Sequence, residues 1–63
     1  MEEKLLKVTE VAEVLNIGRT KAYELVREGK LPVVRIDGCV RIRNEDLQRY
    51  ILEQVEGENF ENN

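Results

Sequence analysis

TEVAEVLNIGRTKAYELVREGKL, residues 9–31, holds two short apolar-periodic segments separated by a tight break. The first carries Val11, Ala12, Val14 and Leu15, and the second carries Ala22, Leu25 and Val26. Spacings of three and four are the helical period, so each segment is read as a helix with one apolar face. The break, Asn16-Ile17-Gly18, is too short for two helices lying flat and antiparallel. It fits a corner in which the second helix crosses the first steeply. Thr9 is the expected N-cap of the first helix, which runs to Leu15 and ends with Asn16 in the left-handed conformation. Gly18 is the expected N-cap of the second, which runs over 19–28 and stops at Gly29 before Pro32.

Outward from this stretch, Leu5-Leu6-Lys7-Val8 reads as a short strand or an extended lead-in. Downstream, VVRIDGCVRI (33–42) reads as a β-hairpin, because Asp-Gly between β-branched runs is a strong turn signal. Two registers are open. A two-residue turn at Asp37-Gly38 pairs Ile36 with Cys39 and Val34 with Arg41, mixing apolar and charged residues on each face. A three-residue loop, Asp37 to Cys39, pairs Ile36 with Val40 and Val34 with Ile42, and sets Arg35 opposite Arg41. The second separates an apolar face from a basic one and is the expected register. Asn44 is the expected cap of a third helix, with Glu45 and Asp46 in its first turn and Leu47, Tyr50 and Ile51, extended by Val55, as its apolar face. Residues 1–55 are therefore expected to form one domain. Residues 56–63, EGENFENN, are expected to be a disordered acidic tail.

The 63-residue chain has a net charge of −3, unevenly spread. Residues 1–16 carry −2, residues 17–43 carry +4 and residues 44–63 carry −5. The basic charge is concentrated in the second helix and the hairpin, which predicts a polyanionic partner for that segment. Without histidine and with the single cysteine Cys39, the chain offers no imidazole base, disulfide or zinc set. The expectation is a non-enzyme that needs no cofactor or metal. Its expected place is a reducing cytoplasm, with no membrane partner, since no apolar run approaches a span. Cys39 is expected to be an exposed thiol without a role.

Helix, turn, helix, hairpin, helix is the order of a winged helix-turn-helix, an α+β class that is mainly α. In such a fold the second helix enters the DNA major groove. Arg19, at its start, is placed to reach guanine or a phosphate, Thr20 a thymine methyl or phosphate, and Lys21 a phosphate. Arg27 extends that face. Tyr23 has two readings, packing over the helix corner or a phosphate bond through its hydroxyl. Arg35 and Arg41, facing each other across the hairpin, would repel, which makes sense opposite phosphates. Arg43 either joins them or pairs with Asp46 or Glu45.

Residues 5–52 resemble the excisionase-family DNA-binding domains, small relatives of the MerR-type winged helix. Val8, Thr9, Val11 and Ala12 match the family's lead-in, and Gly18, Arg19, Ala22 and Tyr23 match its recognition helix. Gly29, Leu31 and Pro32 match its Gly-x-Leu-Pro. Val34, Arg35, Ile36, Gly38, Arg41 and Ile42 match its wing, and Glu45, Asp46 and Leu47 its last helix. Cys39 stands where the family often has Arg, Val40 where it often has an aromatic, and Glu24 where it often has a basic residue. The resemblance implies a protein that binds and bends double-stranded DNA near an attachment site. It would assist a tyrosine recombinase (integrase) in excising a mobile element. A monomer this small binds weakly at physiological salt, so cooperative self-association on DNA or a protein partner is expected. Two alternatives are a small phage- or plasmid-type transcriptional regulator and an interaction module that has lost DNA binding.

Overall fold

The Asn16-Ile17-Gly18 corner is built as its residues predict. The computed structural model describes residues 4–57. Asn16 lies in the left-handed region (φ 59°, ψ 47°). There its N–H donates to the Glu13 carbonyl at 3.2 Å, while the Ile17 N–H donates to that of Ala12 at 3.0 Å. Two end carbonyls of the first helix are satisfied by this paired turn. Gly18 then takes an extended backbone (φ −70°, ψ 159°) and its carbonyl accepts the Ala22 N–H at 3.1 Å, starting the next helix.

The elements in chain order are β1 (Leu5–Leu6), α1 (Val8–Leu15), α2 (Arg19–Arg27), β2 (Val34–Ile36), β3 (Cys39–Arg43) and α3 (Asn44–Gln54). The three strands form one antiparallel sheet in the order β1-β3-β2. This is a mainly helical α+β fold with a winged helix-turn-helix order. The opening Leu-Leu pair is a strand, with Leu5 opposite Arg43 and Leu6 opposite Ile42.

Val8, Val11 and Ala12 of α1 and Ala22 and Leu25 of α2 are buried, together with Leu31, Ile42 and Leu47. The small side chains at 12 and 22 suit the close packing of α1 on α2. Leu31 is delivered inward directly after α2. Gly29 (φ 79°) donates to the Val26 carbonyl and Lys30 to that of Leu25, turning the chain into the core. Burial of one Leu or Ile is worth about 1.5–3 kcal/mol, so this small set carries most of the stability.

The structure corrects several expectations. α1 starts at Val8 with Lys7 as its N-cap, so Thr9 lies inside the first turn. With Val8 included, the inward stripe is buried Val8, Val11 and Ala12 with half-buried Leu15, the i, i+3, i+4, i+7 pattern. Val14 falls outside that arc and is 54% exposed. α3 likewise begins one residue early, with Arg43 as N-cap and Asn44 inside the helix. Val55 lies beyond α3 and is exposed. Of the expected tail, Glu56 and Gly57 are described, and residues 58–63 lie outside the described residues.

The hairpin register is the other one. Val34 pairs with Arg41, Arg35 with Val40 and Ile36 with Cys39, around a two-residue turn. Asp37 (φ 49°) and Gly38 (φ 86°) both have positive φ. That is the turn whose twist matches paired strands, and it outweighs the tidier faces of the three-residue loop. The register puts Arg35 and Arg41 on opposite faces, so the predicted repulsion between them does not arise. Val34 and Ile36 tolerate the mixed face because the hairpin projects past the core; Ile36 is 48% exposed.

A Cβ at Gly38 would meet no atom within 4 Å, so its substitution tests backbone strain alone. Gly38→Ala should cost about 1 kcal/mol of stability, read as a lower urea midpoint at unchanged slope. An unchanged midpoint would show that the turn does not require a left-handed residue.

Candidate nucleic-acid interface

α1 opens with Glu10 and α3 with Glu45 and Asp46 in the first turn, where carboxylates suit the positive end of the helix dipole. α2 has no acid there; its first residues are Arg19, Thr20 and Lys21, all exposed. Cations at that end cost about 0.3–1 kcal/mol each. Gly18 provides no side-chain cap. The start of α2 thus gives up local stability and presents two cations and a hydroxyl to solvent. Glu24 approaches Lys21 at 3.8 Å, an exposed pair worth little. Arg19, Tyr23 and Arg27 follow at intervals of four and form one ridge along α2. Tyr23 is 49% exposed, so its ring is half used in packing and its outer part is available.

A recess lies between α1, α2 and β3, lined by Lys7, Val8, Thr9, Tyr23, Val40 and Arg41. Since Val40 shares it with Tyr23, the Val40 face of the hairpin is the one turned toward α2. Arg35, the cross-strand partner of Val40, is exposed on that same face. Arg41 belongs to the other face by register, yet its guanidinium turns back and Nη1 donates to the Val40 carbonyl at 2.8 Å. Behind the recess, the Glu10 carboxylate accepts the Lys7 backbone N–H at 2.8 Å. That bond, with the charges of Lys4, Lys7 and Arg41, holds the Glu10 pKa below the usual carboxylate value against a desolvation cost.

Arg43 is used differently from the other arginines. Its Nε donates to Asp46 Oδ2 at 2.7 Å and its Nη2 to Oδ1 at 3.0 Å, a two-pronged fork. Nη1 lies 3.3 Å from Glu45, and Arg49 reaches Asp46 from the next turn at 3.3 Å. Asp46 is 3% exposed. The hydrogen bonds from Arg43, then the charges of Arg43 and Arg49, hold its pKa below the ordinary aspartate range, although burial opposes them. β3 runs into α3 without a loop, and this fork fixes the corner. The pairing with Asp46 is therefore the arrangement that the structure adopts for Arg43.

The structure carries Arg19, Thr20, Lys21, Tyr23 and Arg27 exposed or half-buried on α2, lines one recess with Tyr23 and Arg41, and puts Arg35 on the hairpin face of Val40. Lys7 and Thr9, which line the recess with Tyr23, were not among the residues that the sequence reading placed at the interface, whereas the pairing of Arg43 with Asp46 was one of its two readings of Arg43.

A family profile described as a helix-turn-helix domain matches residues 5–55. An excisionase of Streptomyces ambofaciens is 36% identical over 52 residues, covering 82% of this chain and 84% of the relative. The chain belongs to the excisionase family of helix-turn-helix domains. This excisionase-family domain is thus a DNA-binding helix-turn-helix protein. An uncharacterized protein, YvgK, of Bacillus subtilis (strain 168) is 35% identical over 43 residues; the match spans 68% of this chain but 14% of that protein. No solved structure matches. Among the described residues, no helix of the domain is long and apolar enough to cross a membrane.

The Asp46 pair gives a stability test. Asp46→Ala removes the buried acceptor shared by Arg43 and Arg49, Arg43 keeping Glu45, and should cost about 1–3 kcal/mol. A depressed folded pKa means that the stabilisation is complete above the ordinary aspartate range and is lost as pH falls through the folded value. Below that range the wild type should lose stability, and Asp46→Asn should remove part of the slope, Glu10 contributing the rest. Equal acid slopes for both proteins would show that the fork contributes nothing.

Proposed function

We propose that the domain acts as a recombination directionality factor. α2 enters the major groove of double-stranded DNA, and the β2–β3 hairpin lies against the adjacent minor groove. The bound DNA is bent near an attachment site, and a tyrosine recombinase then excises a mobile element. The observation that carries this reading is the first turn of α2, whose exposed cations Arg19 and Lys21, with the Thr20 hydroxyl between them, oppose the helix dipole unless phosphates or base edges face them. The similarity to an excisionase over most of both chains supports the recombination role.

In this reading Arg19 reads a guanine edge, and Thr20 a thymine methyl or a phosphate. Lys21, Arg27, Arg35 and Arg41 face phosphates, and Tyr23 adds its hydroxyl. Arg43 serves indirectly, by holding the wing to α3. About four phosphate contacts per monomer give a log–log salt slope of about −3.6 or steeper. Several copies side by side, or the recombinase itself, would raise the weak affinity of one domain.

Selection of bound sequences from a random duplex pool, followed by anisotropy across a salt series, tests the assignment. Arg19→Ala should weaken specific binding by about 1–3 kcal/mol and relax one base pair. Equal losses on specific and random duplex would make Arg19 a phosphate contact only. Cys39→Arg should tighten binding at low salt, with a gain that shrinks as salt rises. Absence of binding by the wild type at low salt would sink the DNA-binding role.

A further inference from the structure

Glu24 is the one acid within α2, and it stands on the side turned away from the core. It lies two positions after buried Ala22 and two before half-buried Val26. Two positions along an α-helix turn a side chain through about 200°, so Glu24 points away from both. Thr20, four positions before it, and Arg27, three after it, share its side of the helix and are exposed. An acid thus occupies the middle of the outward face, between a hydroxyl and a cation.

We infer that Glu24 is a specificity-determining residue whose carboxylate accepts the exocyclic amine of one cytosine in the major groove. The inference rests on the proposed entry of α2 into that groove. An acid on such a helix meets one of two surroundings. Phosphates line the rims of the groove and repel it, whereas base edges on the floor offer it donors. The middle of the outward face is the part of the helix that comes nearest the floor.

The chemistry of the carboxylate then selects the base. It accepts hydrogen bonds and donates none. In the major groove cytosine presents an amine with no acceptor on the same base. Adenine sets its amine beside the N7 acceptor, and guanine and thymine present acceptors alone. Cytosine is the base that sets no lone pair against the carboxylate.

The group is also unspent. Among the described residues no hydrogen-bond donor reaches it; Lys21 Nζ stands 3.8 Å from Oε1, beyond hydrogen-bond range. Lys21 therefore offsets the repulsion from nearby phosphates and leaves the oxygens open. Glu28 differs: it is the C-cap of α2 and lies 3.5 Å from Lys30, away from the middle of the face. In the excisionase family a basic residue is common at the place of Glu24, so the contact is particular to this chain.

The test is selection from a random duplex pool, followed by anisotropy of the full chain on the selected duplex and its single-base-pair variants. Wild type should favour cytosine at one position by about 5–100-fold. Glu24→Gln should lose that preference and admit adenine, whose N6 and N7 suit an amide, and Glu24→Ala should accept every base there. Both variants should bind random duplex more tightly at low salt, a gain that fades as salt rises, because an acid has gone. Glu28→Gln should keep the cytosine preference. Thermal midpoints should stay with the wild type, since the exposed pair with Lys21 contributes little, which separates a changed preference from a folding defect. Base preferences that both Glu24 variants retain, or that Glu28→Gln also moves, would overturn the assignment and leave the α2 reading standing. So would discrimination lost at a pair other than C·G. A wild type that binds no duplex at low salt would overturn both.

Discussion

The short corner at Asn16-Ile17-Gly18 is the constraint on which the fold depends. α1 has to stop while its carbonyls are still satisfied, and α2 has to start three residues later in another direction. The left-handed Asn16 meets the first requirement, with paired bonds back to Glu13 and Ala12. Gly18, extended and uncapped by any side chain, meets the second. Ala12 and Ala22 can then approach closely, and the buried face of α2 is fixed by Ala22 and Leu25. With that face turned inward, the ridge of Arg19, Tyr23 and Arg27 turns outward.

β3 is the second organising element. It is the central strand, paired with Leu5–Leu6 on one side and with the hairpin partner on the other. It contributes Ile42 to the core and passes without a loop into α3. The Arg43–Asp46 fork sets the angle of that junction. The wing is therefore tied to the rest of the domain at its base and held only by its turn at the tip. Charge alone is a poor guide to the role of an arginine here. Arg43 and Arg35 stand eight positions apart on the same hairpin, one locked to a buried carboxylate and the other exposed.

The order of elements was legible in the sequence, because Asn16, Gly18, Gly29 and Asp37-Gly38 each have a backbone reason to stand where they do. The helix starts were less so. Lys7 and Arg43 cap their helices by backbone geometry alone, and Thr9 and Asn44 are better caps by type, so each helix opens one residue early. That shift brought Val8 into the core stripe and left Val14 outside it. The register failed for a different reason. Face segregation argues for a three-residue loop only where both faces meet something, and the hairpin tip, residues 35–39, is exposed. The α2 residues of the candidate interface could be read from charge and spacing. The neighbourhood of Lys7, Thr9 and Tyr23 could not, since only the packing of α1 against β3 brings them to one recess.

The open hairpin tip bears on how such domains diversify. Ile36, Asp37, Gly38 and Cys39 are exposed, and the first wholly buried residue of the hairpin is Ile42. Substitutions between 35 and 39 therefore alter the outline of the wing without repacking the interior, provided that the two turn residues keep their positive φ. On α2 one helix fills the core with Ala22 and Leu25 and faces outward with Arg19 and Lys21, so its inward positions are fixed by packing. Shape and charge can thus be revised at the hairpin tip and on the outer side of α2 at little cost to the interior.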